Sequence, residues 1–100
     1  MLTSSQRAQL KSLAMSLDPV VMVGKNGITD NVVTEAVKNL KAHELIKGKV
    51  LDTALMSSKE VLAELAGRCG AEPVQAIGSK FVMYKENPDI PSEKRIKLKK

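Results

Sequence analysis

The chain has 100 residues, 43% of them apolar and 27% charged, which is the size and balance of one compact domain and excludes two. Its formal net charge is +5, yet residues 91–100 hold five Lys/Arg and one Glu while residues 1–90 hold 11 basic and 10 acidic groups, so the body is not uniformly basic. A single cysteine, Cys69, excludes an internal disulfide and a cysteine-based zinc site, and the two aromatic residues, Phe81 and Tyr84, are too few for a base-stacking platform.

The first helix is announced by Thr3 and Gln6, a T-x-x-Q capping box, followed by Leu10, Leu13, Ala14 and Leu17 at helical spacing. Arg7 and Lys11, four apart, share a face that leans away from that stripe. Asp18-Pro19 is the expected stop, because proline disfavours helical geometry in the residue before it. Val20–Val23 is then a short β-branched run that suits an interior strand, buried on both faces and paired in parallel. Gly24-Lys25-Asn26-Gly27 follows, and a second helix opens near Thr29 or Asp30, with Val32, Val33, Ala36, Val37 and Leu40 as its apolar stripe.

Leu45–Leu51 reads as the second strand, in which Lys47 and Lys49 share one face. A parallel return beside the first strand, with the helix as a right-handed crossover, is the natural connection. The third helix has the capping box Ser57 to Glu60, a buried stripe of Val61, Leu62, Leu65, Ala66 and Cys69, and Gly70 as its left-handed terminator. Glu72–Ile77 and Phe81–Lys85 make a hairpin around Gly78-Ser79-Lys80. The result is an α/β single domain in the order α-β-α-β-α-β-β, occupying residues 1–86. Residues 87–100 form a basic C-terminal tail, of a composition that is more often disordered than packed. No stretch approaches the roughly 18 apolar residues of a membrane span, and the N-terminus lacks a signal-peptide core, so a cytoplasmic protein away from membranes is expected.

With six glycines, roughly a third of one G-x-x-G pair is expected by accident, so context must decide between the two present. Gly67-Arg68-Cys69-Gly70 lies in the last turn of a helix, where Gly70 has a sufficient role as cap. Gly24-Lys25-Asn26-Gly27 lies between a strand and a helix N-terminus, where free amides and the positive end of the helix dipole converge. Two glycines there leave no Cβ in the way of a phosphate, Lys25 adds a flexible cation and Asn26 adds side-chain donors. The competing explanation is a tight turn that needs glycine for geometry alone.

The run P-V-V-M-V-G-K-N-G-I-T-D-N-V at residues 19–32 resembles the signature of the CRM (chloroplast RNA splicing and ribosome maturation) domain. The opening L-T-S-S-Q-R-A-Q-L-K-S-L-A, the segment E-L-I-K-G-K-V-L and the late V-Q-A-I-G-S-K-F-V-M-Y are similar to that family too, so the resemblance spans about residues 2–85 and is nearest the stand-alone bacterial YhbY form. It implies a four-stranded mixed sheet packed with helices. It also implies binding of structured RNA through Gly24, Lys25, Asn26 and Gly27, and association with ribosomal RNA or large-subunit precursor particles. The resemblance also implies a bulkier residue at the position where this chain has Gly48.

Arg7, Lys11, Lys47, Lys49 and Lys80 are the candidates to extend a phosphate-binding surface; for each alone, solvated surface charge is the competing reading. His43, the only histidine, and Cys69 form no nucleophile–base pair with anything nearby in sequence, so no catalytic residue, metal, cofactor or small-molecule substrate is expected. The leading reading is a monomeric, non-enzymatic RNA-binding protein in ribosome assembly. Its rivals are a protein-interaction adaptor on RNA–protein particles and, weakest, a small enzyme.

Overall fold

The computed structural model describes residues 2–91 and 95–98. Each helix begins at the cap that the sequence supplies. In α1 (Ser4–Ala14) the Thr3 hydroxyl accepts from the Gln6 amide at 3.1 Å and the Gln6 carboxamide accepts from the Thr3 amide at 3.0 Å. Ser57 and Glu60 repeat the exchange ahead of α3 (Ser58–Cys69), which ends on Gly70 at φ +66°. Between them, α2 (Asp30–His43) is capped by Thr29. Such caps satisfy amides that a helix start otherwise leaves open, each worth about 1 kcal/mol.

Four strands, β1 (Val21–Val23), β2 (Leu45–Val50), β3 (Glu72–Ile77) and β4 (Lys80–Tyr84), form one mixed sheet in the order β1-β2-β4-β3. β1 is parallel to β2, with Val21 opposite Gly48 and Val23 opposite Val50, while β4 runs antiparallel to both β2 and β3. The α/β order and the mixed four-stranded sheet therefore stand as read. The interior position of the first strand does not. β1 is an edge strand of three residues, and Val20 and Met22 are 44% and 49% exposed. Its β-branched run reflects packing of Val21 and Val23 on one face only, since the opposite face is not roofed there.

The sheet is covered unequally. α2 and α3 lie on one face and bury Val21, Val23, Ile46, Phe81 and Met83 beneath Ala36, Leu40, Val61 and Leu65. The other face carries only α1, with Leu10 and Ala14 against Leu45, Val74, Val82 and Tyr84. One helix roofs fewer strands, so its buried stripe is narrow: Leu13, expected inward, is 43% exposed, and the helix stops at Ala14, before Asp18-Pro19. Gly48 is explained by the first face. A Cβ there would stand 2.1 Å from Phe81 Cζ, so the Phe81 ring lies flat on the bare backbone of β2.

The described part of the tail is folded back rather than loose. Glu44, the residue after α2, is fully buried and is the only non-glycine at positive φ (+65°) among the described residues. Its carboxylate accepts from the Asn87 amide at 2.7 Å and the Ile96 amide at 3.0 Å, and pairs with Arg95 at 3.5 Å. Its carbonyl accepts from the Lys85 amide at 2.8 Å. Gln9 donates to the Lys97 carbonyl, and Ile96 and Leu98 pack against the smaller core. The burial of two aliphatic side chains and the satisfaction of a buried carboxylate together overcome the low-complexity composition that suggests disorder. Glu93, Lys94, Lys99 and Lys100 of the basic run lie outside the described residues.

Candidate nucleic-acid interface

Parallel pairing fixes where the loops go. β1 and β2 point the same way, so the Gly24–Gly27 turn and the connection 51–57 leave the sheet at one end. Lys80 stands opposite both Lys49 and Ile77, which brings the Gly78-Ser79 turn to the same end. Hydrogen bonds stitch these three connections together: Leu51 N–H donates to the Val23 carbonyl at 2.8 Å, Val50 N–H to the Ser79 carbonyl at 2.7 Å, and the Ser58 hydroxyl to the Gly78 carbonyl at 2.8 Å. A strand-to-helix turn that looks isolated in the sequence is thus one wall of a three-loop corner.

Within the turn, Gly27 N–H donates to the Gly24 carbonyl at 3.0 Å, leaving Lys25 and Asn26 exposed at the apex. Gly27, at φ +68°, is required by geometry. Gly24 is not. It has no positive φ, and a Cβ on it would meet Leu51 Cδ1 at 3.5 Å and Thr53 Oγ1 at 3.6 Å, which is ordinary contact. The turn-geometry explanation therefore accounts for one glycine of the pair and not for the other.

The open amides expected at the start of α2 are only partly taken up by the chain itself. Val32 N–H is taken by the Thr29 hydroxyl at 3.2 Å, Thr29 N–H by the Gly27 carbonyl at 3.2 Å, and Gly27 N–H by the turn itself. Asp30 adds a carboxylate in the first helical turn, which offsets the dipole. The cap and the turn thus use up part of the donor set, while among the described residues no acceptor stands against the Asp30 or Asn31 amide. Attraction for an anion at this corner therefore rests on those remaining amides together with side chains at the turn's apex and the lysines around it.

Those lysines are brought together by the sheet. Lys49 and Lys80 are cross-strand neighbours, and alternation puts Lys47, Lys49, Lys80 and Val82 on the face that α1 covers. Like charges directly opposite each other cost stability, so this pair is not placed for the fold's benefit. Lys11 joins Lys47 and Lys80 in lining one groove between α1 and the sheet, floored by Val82 and edged by Met15 and Ile77. Arg7 does not belong to this cluster. It lies one helical turn nearer the start of α1, which adjoins Glu72 and Tyr84 at the far end of the sheet, and its Nε is closed off from solvent. The shared face of Arg7 and Lys11 holds along the helix, but only Lys11 reaches the groove.

Two cations escape the sequence reading. Lys59, in the first turn of α3, is exposed beside the Gly78 turn, and Arg68 Nη1 reaches the Ile28 carbonyl at 3.4 Å while its Nη2 pairs with Glu64 at 3.6 Å. Arg68 sits in the second G-x-x-G, set aside as a helix terminus; no local pattern signals that its side chain spans to the Gly24–Gly27 exit. Asp52 stands in the same corner as Asp30, so a polyanion is favoured toward the lysines of the α1 face rather than over the connection 51–57.

The reactive groups are poorly placed for chemistry. Burial pushes the Cys69 thiol up, with Lys85 partly opposing, and burial together with Glu44 and Glu86 pushes the Tyr84 hydroxyl up, so neither readily forms an anion. His43 is exposed at the end of α2, on the opposite end of β2 from the corner. Among the described residues no group of three or more His, Cys, Asp or Glu could hold a metal ion, and no helix is long and apolar enough to cross a membrane.

The resemblance seen in the sequence is borne out by comparison with known proteins. The sequence model of the CRS1/YhbY (CRM) domain matches residues 2–85. A Bacillus subtilis protein named "Probable RNA-binding protein YqeI" is 37% identical over 89 residues, 89% of this chain and 93% of its own length. A Haemophilus influenzae protein named "RNA-binding protein" is 38% identical over 88 residues, 88% of this chain and 89% of its own. The solution structure of a hypothetical protein from Staphylococcus aureus superposes with a TM-score of 0.81 at 36% identity, covering 99% of this chain and all of that one.

Proposed function

We propose that this chain, which belongs to the CRS1/YhbY (CRM) domain family, holds structured RNA at the three-loop corner, with Gly24–Gly27 against the phosphate backbone and Lys25, Lys49, Lys80, Lys47 and Lys11 supplying the charge. The physiological target is ribosomal RNA within precursors of the large ribosomal subunit, as the CRM resemblance implies, and the protein acts there as a cytoplasmic monomer by positioning rather than by catalysis. The observation that carries the reading is Gly24, a glycine that neither backbone geometry nor packing demands, beside exposed Lys25 and Asn26 and facing a lysine cluster that the sheet assembles at a cost. Phosphate contacts from lysines and small-residue turns fix register without reading bases, and the buried state of both aromatics fits recognition by shape.

Gly24→Ala is the discriminating variant, because the fold accommodates its methyl group. The experiment is crosslinking of wild type and Gly24→Ala to cellular RNA with the crosslinked sites sequenced, beside a denaturant titration of both. Crosslinks to large-subunit ribosomal RNA in the wild type, lost in a variant of unchanged stability, are expected; crosslinks that persist in Gly24→Ala overturn the assignment of the turn. With four to six phosphates neutralised, log affinity falls against log salt with a slope of about −3 to −4.

A further inference from the structure

We infer that Leu55 is a nucleobase contact, making the connection 51–57 the apolar half of an interface whose phosphate half is the Gly24–Gly27 turn; this rests on the proposed RNA binding. Leu55 is 95% exposed, and Leu51 on the same connection is 40% exposed. An isolated surface leucine needs no explanation. This one is presented by a connection packed directly on the glycine turn, with Leu51 and Thr53 at 3.5 and 3.6 Å from where a Cβ of Gly24 would stand and Met56 Sδ at 4.0 Å from that of Gly27. Both of its ends are fixed: Ala54 N–H donates to the Leu51 carbonyl at 3.0 Å, and Ser57 is locked into the capping box of α3.

The chemistry of the occupant follows from what the corner offers. Asp52, on the same connection, repels a phosphate, so RNA held at Lys25 and the lysine face presents something other than backbone to residues 51–55. Bases splayed from single-stranded loops expose flat apolar faces that usually find aromatic side chains. Here Phe81 and Tyr84 are both buried, so the apolar surface beside the phosphate site is aliphatic, and Leu55 is its most protruding member. A leucine contacts any base face without hydrogen bonds, giving a preference for unpaired over paired nucleotides and little choice among the four bases.

The test uses two RNA hairpins of the same stem, one with an eight-nucleotide loop and one whose loop sugars are abasic, bound to the full-length protein and followed by fluorescence anisotropy. Wild type is expected to prefer the base-bearing loop. Leu55→Ala is expected to weaken that complex about three- to tenfold, to leave the abasic hairpin unchanged and to keep the same salt dependence. Lys25→Ala, by contrast, weakens both hairpins. If Leu55→Ala binds the base-bearing hairpin as wild type does, or weakens both hairpins equally, the base contact is overturned while RNA binding stands. Failure of wild type to bind either hairpin removes the proposed function and this inference with it.

Discussion

Replacing Gly48 by alanine tests how the sheet carries its basic face. The added Cβ would lie 2.1 Å from Phe81 Cζ and 2.6 Å from Cε1 and Cε2, against an ordinary carbon–carbon contact of about 3.5–4.0 Å. The ring must therefore withdraw by about 1.4 Å or more. It has nowhere easy to go, because Phe81 is fully buried in the larger core with Val61, Leu65 and Ile46. Overpacking of this kind costs about 1–3 kcal/mol, and the size of the overlap places Gly48→Ala at the upper end, about 3 kcal/mol. For a domain whose whole stability is about 5–15 kcal/mol, that lowers the melting temperature by roughly 10–20 °C. Urea titrations of wild type, Gly48→Ala, Phe81→Leu and the double variant make a closed cycle. Leucine vacates the space that the new methyl group needs, so the double variant is expected to be more stable than the sum of the single losses by at least about 1 kcal/mol. A Gly48→Ala protein within about 0.5 kcal/mol of wild type, or strict additivity in the cycle, would refute the claim that Gly48 exists to seat Phe81. The consequence for function is direct. Lys47 and Lys49 flank Gly48 and point to the opposite face, so a strand pushed off Phe81 also displaces the lysines.

Two further outcomes follow from buried groups. Glu44→Gly relieves a positive φ worth about 1 kcal/mol or more but strips the acceptor from the Asn87 and Ile96 amides, so a net loss of about 2 kcal/mol is expected, with faster amide exchange at Ile96 and Leu98; a stabilised variant with unchanged exchange would sink the latch. Cys69 and Tyr84 both have raised pKa values in the fold, so the native state keeps its protons to higher pH than the unfolded chain does. Stability is then full below the ordinary thiol range and declines as pH rises through it. In urea midpoints taken from neutral pH upward, Cys69→Ala should show a shallower alkaline decline than wild type, and identical slopes would remove Cys69 from the account.

Much of the fold is legible in the chain because it is written locally. The Thr3–Gln6 and Ser57–Glu60 exchanges, the opening of α2 near Thr29 or Asp30, the Gly70 terminator and the alternation of Lys47 and Lys49 each involve residues within a few positions of one another, and all appear as read. The Gly24–Gly27 turn is likewise found from its flanks. What failed to show locally depends on partners far along the chain. The β-branched run of β1 says strand but not edge, since that is decided by the β3–β4 hairpin pairing with β2 rather than with β1. Arg7 reads as a surface cation until the start of α1 is set against the far end of the sheet.

The sequence alone determined which segments are helix and strand, their order, and the glycine turn as the place to look, because caps, periodicity and turn chemistry act over a few residues. The tertiary structure alone decided that three connections share one end of the sheet, that Lys49 meets Lys80, that Gly48 lies under Phe81 and that Glu44 holds residues 87 and 96. Each of those joins residues at least 20 positions apart, through packing and strand register that no local window contains.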